Sequence, residues 1–181
     1  MVVYGGLMWN SKLVTEAIFF ANTHHGEQKM AHPENMPYSA HYFGVTLTAI
    51  NFASQIKNVD YDLLICCALL HDTLEDTTAS HAEIAKIFGE KIADGVLALT
   101  KNKYIERQDQ MHDSLNRILM QPKEVAIVKM ADRYFNIRDR VPTWTKEKQK
   151  EYKQEAQMIC DVLGKNLPEI QKLLQHQIDR Y

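Results

Sequence analysis

The sequence of 181 residues is poor in the residues that mark extended, disulfide-linked or nucleic-acid-binding chains. It contains 7 Gly, 5 Pro and 3 Cys, and its net charge at pH 7 is only -2. So little glycine and proline argues against a collagen-like or disordered architecture. A near-neutral chain also lacks the basic excess that is typical of proteins bound to duplex nucleic acid. We therefore expect a globular protein with no nucleic-acid partner.

The three cysteines, Cys66, Cys67 and Cys160, include no C-x-x-C pair. An odd count, with two neighbours inside an apolar run, suits neither a disulfide framework nor a thiolate zinc ribbon. The first ten residues lack the basic segment and the continuous apolar core of a signal peptide. No apolar run reaches the ~18 residues that a membrane span needs. We therefore expect a cytoplasmic protein with no membrane contact.

Apolar residues recur at three- and four-residue intervals along most of the chain, which is the period of helices. Asn10 or Ser11 and Asp60 are expected N-caps, Ser80 and Glu83 form a capping box, and Pro122 suits a first turn. The predicted helices cover Ser11–His25, 41–57, a third that begins after Asp60, 80–89, 91–99, 108–120, 122–138, Lys146–Leu163 and 168–178. No segment of period two and no internal repeat is present. The sequence therefore predicts one all-α domain over residues 1–181.

The third predicted helix ends in a group of polar side chains that contains His71, Asp72, Glu75 and Asp76. Acidic residues are unfavourable near a helix C-terminus, because that end carries partial negative charge. Residues three and four apart lie on neighbouring faces if the helix continues this far. Imidazole and carboxylate together suit Mn, Fe or Zn, and a divalent cation would offset the clustered charge. A solvated acidic helix end with no ligand is the alternative.

Two further candidate ligands lie elsewhere in the sequence. His41 opens the second predicted helix, where a histidine can equally be a capping or surface residue. Asp132 stands in a mostly apolar segment, so it is expected to face inward. A buried carboxylate needs a partner. That partner is Lys129, an arginine or a metal ion.

At these residues the chain resembles a known family. The order His41, then His71 and Asp72, then Asp132 is similar to the H…HD…D order of HD-domain metal-dependent phosphohydrolases. The closer resemblance, over about residues 10–175, is to the hydrolase domain of RelA/SpoT proteins, the small alarmone hydrolases and the metazoan SpoT homologues. The motifs that carry it are H-x-x-Q at 25–28, P-Y-x-x-H at 37–41, A-L-L-H-D-x-x-E-D-T at 68–77, L-T-K at 99–101, K-M-A-D-R-x-x-N-x-R at 129–138 and the Trp144…Tyr152 spacing.

The resemblance implies a helical bundle with a metal site between its central helices. It implies hydrolysis of the 3′-pyrophosphate of ppGpp or pppGpp, which yields GDP or GTP. One divalent ion, usually Mn²⁺, would be held by His41, His71, Asp72 and Asp132. Glu75 and Asp76 would orient water or move protons, and His25 and Gln28 would tie the first helix to the site. The residues expected to contact the nucleotide are Asn136, Lys29, Lys101, Arg133 and Tyr152. The alternatives are that the tyrosine is a packing residue and that the lysines and the arginine are simply solvated.

One departure from the family pattern concerns the base. After H-x-x-Q the family usually has an Arg-Lys pair, whereas this chain has Met30 and Ala31. Neither side chain reproduces cation stacking or charge pairing. The substrate could therefore be another 3′-phosphorylated nucleotide, such as (p)ppApp or NADPH. A nucleotide-binding HD domain without catalysis, or a helical interaction protein, are the other hypotheses, and an oligomer is compatible with the sequence.

Overall fold

The computed structural model describes residues 9–33 and 35–181. Over these residues the chain is helical, with one isolated bridge between Lys29 and Pro37. The helices are α1 (Ser11–His25), α2 (Ser39–Ala53), α3 (Tyr61–Leu70), α4 (Thr73–Asp76), α5 (His81–Phe88), α6 (Glu90–Leu99), α7 (Gln110–Leu119), α8 (Lys123–Asn136), α9 (Lys146–Leu163), the 3-10 helix Gly164–Asn166 and α10 (Pro168–Arg180). The predicted all-α class is confirmed. The signal-peptide prediction rests mainly on residues 1–8, which lie outside the described residues, as does Glu34.

Helix α3 forms the centre of the bundle. From Leu63 to Leu70 its residues are at most 3% exposed. The helix packs against α1, α2, α6 and α8. A helix that is apolar all round has to lie inside the fold, because it has no face that suits water. Its C-terminal end therefore delivers His71 and Asp72 to the middle of the molecule.

Helices α2 and α8 approach each other closely at Gly44. A β-carbon at this position would overlap the ring of Phe135 on α8. The Phe135 ring lies against the ring of His41, with the ring centroids 5.7 Å apart. The space that Gly44 leaves open therefore sets how near α8 comes to a predicted metal ligand.

Three predicted helix starts are confirmed by their capping hydrogen bonds. Asn10 Oδ1 accepts from backbone N–H groups of the first turn of α1, at 3.1 and 3.2 Å. Asp60 Oδ1 accepts from the N–H of Leu63 at 3.0 Å. Ser80 and Glu83 form the predicted capping box before α5. In each case a side-chain oxygen satisfies an N–H group that has no partner inside the helix.

Two predicted features differ from the structure. Helix α2 begins at Ser39, because the turn at Pro37 and Tyr38 already supplies acceptors for the N–H groups of residues 40 and 41. It ends at Ala53. The third helix does not continue through His71 and Asp72, since α3 ends at Leu70 and α4 begins at Thr73. The Thr73 hydroxyl donates to the carbonyl of Leu70 at 2.7 Å. A hydroxyl that takes such a carbonyl competes with the helical pattern.

Cys66, Cys67 and Cys160 are buried and free. Among the helices of the described residues, none combines the length and the apolar character that a bilayer crossing requires.

Candidate metal centre and substrate cavity

The four predicted metal ligands come together from three parts of the fold. His41 lies in the first turn of α2, His71 and Asp72 at the junction of α3 and α4, and Asp132 on α8. His41, His71 and Asp132 are buried, and the Asp72 side chain is 22% exposed. Helices α2, α3 and α8 pack directly on one another. The apolar core therefore sets the positions of these polar groups.

The donor atoms of these residues have the spacing of ligands around one ion. The Nε2 atoms of His41 and His71 are 3.1 Å apart. Asp72 Oδ2 lies 3.2 Å from the first and 3.0 Å from the second. Asp132 Oδ1 lies 3.6 and 3.7 Å from the same two atoms. Donors about 2.1 Å from one ion lie roughly 3.0 Å apart at right angles and roughly 3.4 Å apart in a tetrahedron. The cluster can therefore hold a divalent metal ion.

Hydrogen bonds around the cluster orient two of its donors. His71 Nδ1 lies 2.7 Å from the carbonyl oxygen of Ala68, so Nδ1 carries the donated proton and Nε2 is the ring atom that faces the other donors. Asn136 Nδ2 donates to Asp132 Oδ1 at 2.6 Å. Such partners fix the tautomer of a ligating imidazole and the orientation of a ligating carboxylate.

The charged groups of the cluster shift one another's pKa values. Burial acts to raise the pKa of Asp72, but His71 and His41 outweigh it and hold that pKa well below its ordinary value. Burial acts to lower the pKa of His71, but Asp72 and Asp132 raise it to about 9. For Asp132, Lys129 and the histidines outweigh burial and lower the pKa. A metal ion would take the place of the protons that stabilise these carboxylates.

Tyr38 joins the cluster, although the sequence assigned it no role of its own. Its hydroxyl donates to Asp72 Oδ2 at 2.5 Å and lies 3.4 Å from Asp76 Oδ2. The Tyr38 ring stacks on His25, with the ring centroids 4.5 Å apart. The P-Y-x-x-H spacing was the available signal, because it places Tyr38 one turn before His41.

The predicted link between the first helix and the site is present. His25 Nδ1 lies 2.8 Å from Gln28 Oε1. Gln28 Nε2 donates to the carbonyl of Asp76 at 2.9 Å. These contacts fasten the end of α1 to the end of α4, which carries the predicted catalytic carboxylates.

Glu75 and Asp76 both border a cavity of about 300 Å³ that opens beside the metal ligands. Glu75 Oε2 accepts from the backbone N–H of Lys101 at 2.9 Å. Partial burial, then the carboxylates of Asp72 and Glu75, raise the pKa of Asp76. The two predicted carboxylates therefore lie beside the cluster in different electrostatic surroundings.

The cavity gathers most of the residues expected to contact a nucleotide. Lys101, Arg133, Asn136 and Tyr152 line it. Further lining residues were not expected from the sequence to contact substrate: Lys129, Phe135, Arg138, Val141 and Trp144. Lys129 Nζ lies 3.7 Å from Asp132 Oδ2, so the lysine that the sequence offered as an alternative partner is present together with the histidines.

Lys29 is the expected contact that does not border this cavity. Its backbone pairs with Pro37 in the isolated bridge, and its side chain is exposed. Met30 and Ala31 line the cavity.

Arg133 and Tyr152 form one wall of the cavity together. The guanidinium lies over the Tyr152 ring, 4.0 Å from its centroid. Arg133 Nη2 donates to Glu155 Oε2 at 3.1 Å, and the buried Nε has no partner in the described chain. Burial raises the pKa of Tyr152 to about 12, although Arg133 acts to lower it. The tyrosine hydroxyl therefore keeps its proton near neutral pH.

Fold and residue order together define a helical domain built around an H…HD…D cluster of possible metal donors. The sequence profile described as HD domain matches residues 17–168. Because the match covers most of the chain, the chain belongs to the HD domain family.

Three proteins with similar sequences can be compared with this chain. Guanosine-3′,5′-bis(diphosphate) 3′-pyrophosphohydrolase MESH1 of Danio rerio is 28% identical, over 94% of this chain and 96% of that protein. MESH1 of Drosophila melanogaster is 29% identical, over 82% and 83%. A guanosine-3′,5′-bis(diphosphate) 3′-pyrophosphohydrolase of Aquifex aeolicus is 32% identical over 85% of this chain, which is 21% of the longer protein.

A solved structure has the same fold. It is described as a metazoan ortholog of SpoT that hydrolyzes ppGpp and plays a role in starvation responses. The TM-score is 0.81 at 25% sequence identity, with 96% of this chain and 97% of that chain covered. The resemblance to metazoan SpoT homologues is thereby confirmed.

Proposed function

We propose that the chain hydrolyses the 3′-pyrophosphate of ppGpp and pppGpp, which releases pyrophosphate and GDP or GTP. The observation that carries the proposal is the donor group of His41, His71 and Asp132, whose ligand atoms all lie within 4.8 Å of one another. Asp72 Oδ2 lies 3.2 and 3.0 Å from the two imidazoles, and the group borders a cavity lined by lysine and arginine side chains. Relatives of matching length are named for this activity. A polyphosphate needs both a cation to polarise it and positive side chains to bind it.

In this proposal the four residues hold one Mn²⁺ ion. Two imidazoles and two carboxylates also suit Fe or Zn. When bound, such an ion supplies a Lewis acid that activates water and polarises a phosphoryl oxygen. The chain itself contributes the orientation of the donors, through the Ala68 carbonyl behind His71 and the Asn136 amide beside Asp132.

Glu75 and Asp76 are the proposed acid–base groups. Partial burial and the neighbouring carboxylates raise the pKa of Asp76, which is the direction that favours a proton donor for the leaving ribose 3′-oxygen. The N–H of Lys101 fixes one oxygen of Glu75, so its carboxylate has a defined direction for accepting a proton from water. Tyr38 holds the side chains of Asp72 and Asp76 in position relative to each other, because its hydroxyl contacts both carboxylates.

The proposed substrate contacts are Lys101, Arg133, Asn136 and Tyr152. Lys101 and Arg133 would balance phosphate charge. Tyr152 offers a protonated hydroxyl and a ring face. Lys29 is not part of the proposal, because its side chain lies outside the cavity.

We further propose that residues 1–181 act as a single HD phosphohydrolase domain on a small nucleotide. The HD domain match over residues 17–168 supports this. The near-neutral net charge of -2 supports the expectation of no nucleic-acid partner. A cytoplasmic location stays a prediction, and the oligomeric state stays open.

The test is a metal-dependent turnover assay. Protein freed of metal by chelation is incubated with ppGpp, with and without added Mn²⁺, and pyrophosphate and GDP are followed by anion-exchange chromatography. We expect release with Mn²⁺, and a loss of roughly a hundredfold or more in Glu75→Gln. Binding of ppGpp without release would favour a catalytically silent nucleotide-binding domain. If the protein binds neither metal nor nucleotide, a helical interaction protein is favoured.

A second candidate substrate is (p)ppApp or NADPH. It is favoured by Met30 and Ala31, which line the cavity where the resembling family has Arg-Lys. Neither side chain offers a strong hydrogen-bond donor that could distinguish the base edges. Equal kcat/KM values for the guanine and adenine tetraphosphates would favour a nucleotide hydrolase of broad base specificity over one selective for guanine.

A further inference from the structure

A second cavity lies behind the proposed catalytic carboxylate Glu75. Its volume is about 470 Å³, larger than that of the metal cavity, and the two cavities share Glu75 and Lys101. Residues from α4, α6, α7 and the segment 100–104 form its walls. The hydrogen bond from the Lys101 N–H to Glu75 Oε2, at 2.9 Å, forms the partition between the cavities.

The second cavity carries an excess of positive charge. Lys101 and Lys103 line it, and neither forms an ion pair with another residue of the described chain. Arg117 is already engaged, because Asp113 lies 2.8 Å from its Nη2 and the carbonyl of Thr100 lies 2.7 Å from the same atom. The two lysines therefore have ammonium groups available for an anionic ligand.

An aromatic ring and two leucines complete the cavity. Tyr104 is 89% exposed, and it shares the cavity with Leu74 and Leu97. Asn102 Oδ1 accepts from the N–H of Tyr104 at 3.1 Å and so shapes the turn that presents the ring. Lys103 Nζ lies 5.8 Å from the ring centroid. An open aromatic face beside apolar walls and free ammonium groups suits a planar base that carries phosphates.

We propose that the second cavity binds a purine nucleoside polyphosphate, with the base at Tyr104, Leu74 and Leu97 and the phosphates at Lys101 and Lys103. The ligand is either a separate nucleotide molecule or, if the base of the substrate does not lie at Met30 and Ala31, the remote end of a substrate whose 3′-pyrophosphate lies in the metal cavity. A ligand here touches the partition, so it alters how the Lys101 N–H holds Glu75. This effect on turnover rests on the proposed function, whereas the binding itself does not.

The binding test uses the full chain with a chelator present, so that no metal ion contributes. GDP is titrated by calorimetry into wild type, Lys103→Ala and Tyr104→Ala, with Lys165→Ala as the control because Lys165 is an exposed lysine outside both cavities. We expect each cavity variant to bind GDP roughly tenfold more weakly, and Lys165→Ala to bind like wild type. Equal GDP affinity in all four proteins would overturn the proposal.

Turnover of ppGpp with Mn²⁺ distinguishes the two sources of the ligand. If the cavity takes the remote end of the substrate, Lys103→Ala and Tyr104→Ala raise KM and leave kcat unchanged. If it takes a separate molecule, added GDP changes kcat in wild type and not in Tyr104→Ala. Either pattern supports the cavity. A protein that binds GDP through Tyr104 but releases no pyrophosphate would refute the proposed function and still support the proposed nucleotide-binding cavity.

Discussion

Replacing Tyr38 by phenylalanine tests whether its hydroxyl positions Asp72. The hydroxyl donates to Asp72 Oδ2 at 2.5 Å. Burial, and then the charge of Asp72, raises the pKa of Tyr38 well above its ordinary value. The hydroxyl therefore keeps its proton near neutral pH and remains a donor. The substitution removes one oxygen atom and leaves the ring stacked on His25.

The expected effect on metal binding follows from the strength of that hydrogen bond. A bond to a charged acceptor contributes about 1.5–3 kcal/mol, and about 1.4 kcal/mol is a tenfold change in an equilibrium constant. We therefore expect Tyr38→Phe to bind Mn²⁺ roughly 10–100-fold more weakly, the range known for partners of metal ligands. Competition with a fluorescent chelator at fixed pH measures this affinity.

Tyr61→Phe is the matched control. Tyr61 is also half-buried, and its hydroxyl forms no hydrogen bond with the described chain. We expect Tyr61→Phe to keep wild-type affinity for Mn²⁺ and, without metal, to unfold near the wild-type temperature. Metal-free Tyr38→Phe should unfold a few degrees lower, because it loses the hydrogen bond to Asp72 in the folded chain. Equal affinity in Tyr38→Phe, Tyr61→Phe and wild type would refute the positioning role of the hydroxyl.

Three further measurements test other parts of the molecule. Asp132→Asn removes a proposed ligand, so it should weaken Mn²⁺ binding more than Tyr38→Phe does in the same competition assay. Gly44→Ala should lower the free energy of unfolding in urea by about 1–3 kcal/mol, because the new methyl must displace the ring of Phe135. Burial acts to raise the pKa of Asp60, but Lys91 outweighs it and keeps that pKa low. This stabilisation is present above the unfolded pKa of ~3.9 and is lost as pH falls through the folded pKa. Lys91→Ala should therefore lower the urea midpoint more at pH 7 than at pH 3.

Each of these predictions has a clear contrary result. Wild-type Mn²⁺ affinity in Asp132→Asn would remove that residue from the ligand set. A Gly44→Ala unfolding curve that overlays the wild-type curve would mean that α2 and α8 tolerate a wider separation. An equal loss at both pH values in Lys91→Ala would show that the lysine acts through packing and not through the charge of Asp60.

The residues of the donor cluster could be predicted because their signal is carried by residue type and chain order. Each of His41, His71, Asp72 and Asp132 is ambiguous alone, but their order along the chain is distinctive, and an apolar core that buries α3 has to bring its end to the centre. The capping residues Asn10 and Asp60 were predictable for a similar reason, since each acts on its own helix. That these four residues bind a metal ion stays a prediction.

The position of Lys29 could not be predicted, because it depends on the path of the segment between α1 and α2. This segment is held by one isolated bridge and has no repeating pattern. The contact of Arg133 with Glu155 and the Tyr152 ring joins α8 to α9 and likewise has no local signal.

The origin of the four ligands in three separate stretches of chain has a thermodynamic consequence. An ion that binds the folded protein and not the unfolded chain adds RT ln(1 + [M]/Kd) to the free energy of unfolding, about 2.7 kcal/mol at a hundred times Kd. For Mn²⁺ at this cluster, the amount of folded protein would then depend on metal supply. Destabilising substitutions far from the cavity, such as those between α2 and α8, would be tolerated when metal is abundant. The same substitutions would lower the amount of folded protein when metal is scarce.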